Sequence, residues 1–368
     1  MSTNLTDTER LGLLIQDAIT DGIFPCAVAG VVTCSGRIFT TSAGHLYYGS
    51  TITATDNTLY DLASLTKPLA TALSCLNLCS QGKLDLDMGL GEFFPNIKRD
   101  KRDIRLWMLL SHSSGMKAYY DLGNGKKNRF ITLEEATQEI LDMPLEYEPG
   151  TRHTYSDLGY IVLSRIIEIL YKKDLATAVK ELVISPLDIE DMDFLRASCN
   201  QPRPETAPSC MDSKGQPLYG TVHDPNARLL GGVSGHAGLF ANIYSILDII
   251  HKLYLIYSGL QENPCINPVL LRYFWRPVHP DLSTWAIGFD TKSLHGSSAG
   301  TAFPMNSVGH LGFTGTSFWL DLDEGTGAAF LSNRTMSSLP NAQERLKKLR
   351  PQIHSLLWNI GHNLENNH

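Results

Sequence analysis

Apolar positions recur along this chain with two periods, and each period marks a different kind of element. Thr6-Asp7-Thr8-Glu9 has the form of a capping box, and Leu11, Leu14, Ile15, Ala18 and Ile19 follow at helical spacing. Two β-rich runs, 27–34 and 37–42, flank Ser35-Gly36, which is a hairpin signal. A long apolar, helix-compatible stretch covers 65–79 and ends at Gly82. Helices are also expected at 105–110, 133–141, 158–171 and 243–255. Strand patterning returns at 284–290, 309–313, 317–322 and 327–332, with Asp323-Glu324-Gly325 turning the last pair. A helix over 342–360 closes the pattern, with Pro351 as an expected kink. The charge run 98–102 reads as a solvated loop, and the Pro- and Ser-rich stretch 198–220 as a long surface loop.

The order is strands, many helices, then strands and a helix. It implies an α/β chain of the α+β type, with one antiparallel sheet flanked by helices and built from both chain ends. The sheet lobe takes about 1–63 and 280–368, and a mainly helical lobe, about 64–279, is inserted between them. The two lobes form a single unit, and no internal repeat is visible.

Composition narrows the function. The 368 residues are 43% hydrophobic and 19% charged, which suits a globular fold and excludes disorder, collagen and coiled coil for the whole chain. A net charge of −7 supplies no basic excess for nucleic acid. No basic-then-apolar leader is visible at the N-terminus, and no apolar run approaches the ~20 residues that span a bilayer. These features give the expectation of a cytoplasmic protein with no membrane association. Seven cysteines at wide spacing do not form a disulfide framework. Cys75 and Cys79 read as core residues on one helix face. Twelve scattered histidines without an HExxH give no metal site.

The chemistry-bearing signal is S-x-x-K. It occurs at Ser64-Leu65-Thr66-Lys67, at Ser80-Gln81-Gly82-Lys83 and at Ser114-Gly115-Met116-Lys117. Ser80 sits at a helix end and Ser114 in a Ser-Ser-Gly turn. Only Ser64 opens a long apolar helix. Residues three apart on a helix share a face, so Lys67 places its amine beside the Ser64 hydroxyl. A serine needs such a neighbour to become a nucleophile.

Two further segments stand in order behind it: Tyr155-Ser156-Asp157 and Gly309-His310-Leu311-Gly312-Phe313-Thr314-Gly315. With Ser64-x-x-Lys67 they resemble the three motifs of the serine β-lactamase and penicillin-binding-protein superfamily. The resemblance is to the branch of class C β-lactamases, D-alanyl-D-alanine peptidases and related esterases. There the second motif begins with Tyr and the third is often His-x-Gly. The segments 109–115 and 231–240 support it, and the resemblance runs from about Phe24 to about Asn333.

The resemblance implies roles. Ser64 is the acylated nucleophile, Lys67 the amine that helps deprotonate it, and Tyr155 the phenol that relays a proton to the leaving group. Either Lys67 or Tyr155 is the general base. Asp157 stands where the family often has Asn, and a carboxylate there pairs with Lys67. His310 and Gly312 form the third motif, with Gly312 admitting substrate close to the backbone. The backbone N–H groups of Ser64 and Phe313 form the oxyanion hole. Phe313-Thr314-Gly315 is the alternative register, and His310 is preferred because Phe313 offers no polar group. Tyr119, Tyr120 and Trp275 are candidate pocket aromatics. His223-Asp224 and His236 read as a capped turn.

The implied reaction is acyl transfer without a cofactor, on a small-molecule ester, amide or β-lactam. His310 in place of a lysine and the added charge of Asp157 both disfavour a substrate carboxylate. They point to an esterase-like or small-amide hydrolase ahead of a β-lactamase or D-alanyl-D-alanine carboxypeptidase. A non-catalytic penicillin-binding-like recognition module is the remaining alternative. Oligomeric state is not encoded in any visible pattern.

Overall fold

The hairpin at Ser35-Gly36 forms one edge of a six-stranded antiparallel sheet. A computed structural model describes residues 5–124, 130–196 and 205–366. Among them the strands, in chain order, are β1 (Cys26–Val32), β2 (Ile38–Gly44), β3 (Tyr60–Asp61), β4 (Met192–Phe194), β5 (Leu239–Ala241), β6 (Asp290–Thr291), β7 (Ser307–Leu311), β8 (Ser317–Asp321) and β9 (Gly327–Ser332). The large sheet runs β2-β1-β9-β8-β7-β6, so strands from both ends of the chain meet where β1 pairs with β9.

The sheet is covered on both faces. Along β1, Cys26, Val28 and Val32 enter one apolar cluster, and Ala27, Ala29 and Val31 enter the other. A strand buried on both faces has no polar alternation, which is why 27–34 reads as a continuous apolar run. The helices Asp7–Thr20 and Ala342–Asn366 cover one face, and the helix Ile243–Ser258 covers the other. The capping box at Thr6 and Glu9 is present as expected. Cys75 is buried in the core and Cys79 packs partly buried against it.

Several expectations change. The expected strand over 284–290 reduces to the two residues of β6. Gly288 has φ +85°, and a Cβ there would sit 2.2 Å from the Ala72 Cβ. The preceding backbone therefore winds against the helical lobe, bonding to Phe274 O and Leu110 O, instead of joining the sheet. The charge run 98–102 contains a short helix, Arg99–Arg102, with Lys101 buried beside Asp100. The alkyl stem of a lysine can lie against apolar surface in this way. Residues 198–204 lie outside the described residues. Of the rest of that expected surface loop, Thr206, Ala207 and Ser209 are buried, and Thr206 bridges Leu59. The C-terminal helix continues through Pro351 to Asn366. A second sheet, β3-β5-β4, has strands too short for a pattern to reveal, and it carries the chain into Ser64.

Candidate active site

Ser64 leaves β3 through a tight 3-10 turn, Ala63–Leu65, and a π-helical stretch, Lys67–Ala72, follows before regular helix begins at Leu73. π-turns are uncommon and cluster at functional sites. The expected single helix from residue 65 is therefore three geometries in series. Ala63 has φ +47°, a strained value for a residue with a Cβ.

Asp61 fixes this turn. Its carboxylate accepts from Ala63 N at 2.9 Å, His223 N at 2.7 Å and Ser209 Oγ at 3.2 Å, and its carbonyl accepts from Thr314 Oγ1 at 2.7 Å. Burial pushes the Asp61 carboxyl up to about 6, against these bonds, which pull it down. Thr66 Oγ1 donates to Ala63 O and accepts from Leu239 N, tying the same turn to β5.

Lys67 Nζ lies 3.1 Å from Ser64 Oγ, 2.6 Å from Asp157 Oδ1 and 3.2 Å from His236 O. Three acceptors match the three protons of an ammonium. The side chain is fully buried. Burial alone would lower its pKa, but the Asp157 carboxylate, with Tyr155, outweighs burial and the net shift is upward. Tyr155 comes from the loop before the helix Asp157–Tyr171, whose N-cap is Ser156. Its ring centroid lies 4.7 Å from Lys67 Nζ, and Lys67 and Ser64 both favour the ionised phenol. Burial raises the phenol's pKa more than Lys67 lowers it. The resting triad is thus an ammonium, a phenol and a hydroxyl.

The third motif arrives on β7. β6 pairs only with Val308 and Gly309, so the backbone at His310 and Leu311 is left open on that side. His310 is 2% exposed, and its ring centroid lies 6.0 Å from that of Tyr155 and 5.7 Å from that of Trp285. Burial and the Lys67 charge push it down to about 3, so the ring is neutral. Its Nδ1 donates to Leu311 O at 2.9 Å. Thr314-Gly315, the alternative register, lies in the turn between β7 and β8, with Thr314 bonded to Asp61 O. Phe313 is 51% exposed at the rim, its ring tilted against that of His223 with centroids 5.3 Å apart. The N–H groups of Ser64 and Phe313 make no backbone hydrogen bond to another described segment.

Ser64, Tyr155, Asp157, His310, Gly312 and Phe313 all line one cavity of about 570 Å³. Tyr119 lines it too. Trp275 does not: it is a core residue between Tyr257 and Phe289. Tyr120 packs partly buried against the same core. The capped turn at Asp224 is real, since Asp224 Oδ1 accepts from Ala227 N at 2.7 Å. Yet Asp224 and His236 also line the cavity, joined by a 2.7 Å bond from His236 Nε2, and Ser234 Oγ meets His236 Nδ1 at 2.8 Å. Trp285, Arg350 and Asp61 were not singled out by any motif. Arg350 lines the cavity, and its guanidinium donates to Gly312 O and Thr316 O.

Gly312 is glycine for a packing reason. A Cβ there would lie 2.0 Å from Thr316 Oγ1 and 2.6 Å from Leu62 O. Gly312→Ala is expected to destabilise the fold by about 1–3 kcal/mol through overpacking, read as a lowered thermal midpoint. An unchanged midpoint would return the glycine to the substrate-approach role that its place in the motif implies.

Among the described residues no group of His, Cys, Asp or Glu is arranged to hold a metal, and no helix is long and apolar enough to cross a membrane. Comparison with known proteins agrees with the geometry. A protein of Salmonella agona (strain SL483) with the provisional name D-alanyl-D-alanine carboxypeptidase is 29% identical over 330 residues, covering 80% of this chain and 75% of its own. Its counterpart in Salmonella typhimurium is 28% identical with the same coverage. Among solved structures, EstCE1, a hydrolase with promiscuous acyltransferase activity, superposes with a TM-score of 0.74 at 19% identity, covering 96% of this chain and 98% of its own. The octameric penicillin-binding protein homologue of Pyrococcus abyssi gives 0.71 at 19%, covering 98% and 78%. At these identities the structures establish the shared fold. The model of the Beta-lactamase family matches residues 13–349, and the chain belongs to that family.

Proposed function

We propose that this protein is a serine acyl hydrolase that forms an acyl-enzyme at Ser64 and acts on carboxylic esters and small amides. The observation that carries the proposal is the 3.1 Å approach of Lys67 Nζ to Ser64 Oγ on the wall of the cavity.

In the fraction of molecules whose Lys67 has lost a proton to solvent, Nζ turns a lone pair toward Ser64, while the 2.6 Å bond to Asp157 keeps the amine in place. Ser64 Oγ then attacks the carbonyl carbon, and its proton goes to Nζ. The oxyanion is received by the N–H groups of Ser64 and Phe313, each worth roughly 3 kcal/mol in the transition state. Tyr155 hands its phenolic proton to the leaving group; the phenolate then takes a proton from the water that attacks the acyl-enzyme, and Ser64 Oγ leaves with the proton held on Lys67 Nζ, releasing the acid.

The substrate class follows from polarity. His310 is held neutral at the third-motif position, and Arg350 is engaged by two carbonyls. Asp157 and Asp224 add negative charge to the lining. A substrate carboxylate has little to meet here. The second reading, D-alanyl-D-alanine carboxypeptidase, rests on the provisional names of relatives that share 28–29% identity.

Intact-mass analysis after mixing with a short-chain nitrophenyl ester, and separately with a fluorescent penicillin, tests the reading. An acyl adduct mapped to Ser64, lost in Ser64→Ala together with ester turnover, is the expected result. Turnover undiminished in Ser64→Ala would remove Ser64 from the reaction. A stable adduct with no turnover of any ester or amide would favour a recognition module. Release of D-alanine from a diacyl-Lys-D-Ala-D-Ala peptide faster than ester hydrolysis would favour the second reading.

A further inference from the structure

His112 is the residue that no motif role explains and that the site does not obviously need. It follows the short helix Leu106–Leu110 and has φ +61°, a left-handed conformation usually left to glycine or asparagine. It is 1% exposed. A histidine kept in a strained, buried position calls for a reason beyond turning the chain.

The reason lies on either side of Tyr155. Thr154 N–H donates to His112 O at 2.8 Å. Ser156 N–H donates to His112 Nδ1 at 3.1 Å. Between these two bonds the His112 ring packs on the Tyr155 ring, with centroids 4.5 Å apart. The same ring meets Trp285 edge-on at 4.7 Å and Tyr160 at 5.2 Å. One residue therefore grips the backbone before Tyr155, the backbone after it, and the phenol ring itself.

We infer that His112 is the positioning residue of Tyr155, holding the phenol in register with Ser64 and Lys67. The inference rests on the proposed proton-relay role of Tyr155. It needs a specific protonation state. Nδ1 accepts the Ser156 N–H, so the ring is neutral and its proton sits on Nε2. Burial first, then the nearby Lys67, His310 and His153, hold its pKa well below the ordinary histidine value, which keeps that acceptor available. The fixed ring orientation also sets one wall against Trp285, which lines the cavity.

The acceptor and the ring can be separated by substitution. His112→Phe keeps a ring and loses the acceptor for Ser156 N–H. His112→Asn tolerates the left-handed backbone and offers Oδ1 where Nδ1 was. Steady-state hydrolysis of a nitrophenyl ester is expected to show kcat down on the order of a hundredfold in His112→Phe, with KM within about threefold. His112→Asn should regain at least about tenfold of that loss. NMR of isotope-labelled tyrosine gives a readout that does not depend on turnover. The Tyr155 resonance, assigned by its loss in Tyr155→Phe, is expected to shift and broaden in His112→Phe and to return toward its original position in His112→Asn. Losses that merely follow the thermal midpoint, with no rescue by Asn, would overturn the inference, as would an unmoved Tyr155 resonance. Turnover that survives Ser64→Ala would sink the acyl-enzyme reading and still leave the NMR result to decide whether His112 positions Tyr155.

Discussion

Lys67→Met is expected to lower kcat/KM for a nitrophenyl ester by about 10²- to 10⁴-fold, the contribution typical of a general base. Nζ touches Ser64 Oγ, Asp157 Oδ1 and His236 O, so on the proposed mechanism its loss strips Ser64 of its base and leaves the hydroxyl facing an apolar thioether. The fold should survive. Methionine is of similar length and adaptable, and it fills the buried space that the lysine stem occupies. Asp157 loses its partner, but its side chain is 21% exposed and can draw on solvent, so the destabilisation is discounted from that of a fully buried pair. Lys67→Arg separates charge from basicity. A guanidinium stays protonated, so it supplies positive charge and no base. Both variants should be slow if Lys67 takes the Ser64 proton. An arginine variant within tenfold of the original enzyme would show that the site needs only a cation there, and Tyr155 would become the base.

The central strands of the large sheet were legible because they are buried on both faces and bounded by clear turns. β9 is expected at 327–332 and found at Gly327–Ser332. β6 was over-read because Trp285, Ile287 and Phe289 alternate like a strand. Trp285 instead lines the cavity, Ile287 and Phe289 enter the main core, and Gly288 against Ala72 sends the backbone elsewhere. Alternation reports burial of every second residue, and it cannot say which neighbour does the burying.

The site divides in the same way. Ser64, Lys67, Tyr155 and His310 sit in short motifs whose internal spacing carries their chemistry. Asp61, His112, Asp224 and His236 act on those residues from far along the chain. His236 reaches Lys67 through a carbonyl, a group every residue carries, so side-chain identity gave no signal. Asp224 was visible as a helix cap, and that role concealed its second one on the cavity wall. Asp61 stands on a two-residue strand, too short for any period to show. What sequence spacing misses here are contacts that exist only after distant segments of the chain have packed together.

Asp157→Asn should invert the pH behaviour of Lys67. In the original chain, burial tends to lower the ammonium pKa, but Asp157 and Tyr155 outweigh it and the folded value lies above the ordinary one. That excess adds stability which is complete below the unfolded lysine pKa of about 10.4 and is lost as pH rises through the higher folded value. Asparagine removes the carboxylate and leaves burial dominant, so the folded pKa falls below the unfolded one. Between those two values the folded protein then binds fewer protons than the unfolded chain, and its stability rises with pH. The gap in thermal midpoint between variant and original should therefore narrow steadily from pH 7 towards pH 10. The kinetics carry the same sign. A neutral Lys67 is available at lower pH in the variant, so the acid limb of kcat/KM should move down by about one unit or more. A limb that stays in place, or activity lost more than a thousandfold at every pH, would mean that the charged lysine is what the reaction uses. The proton taken from Ser64 would then go to Tyr155, and Asp157 would serve to keep Lys67 ionised.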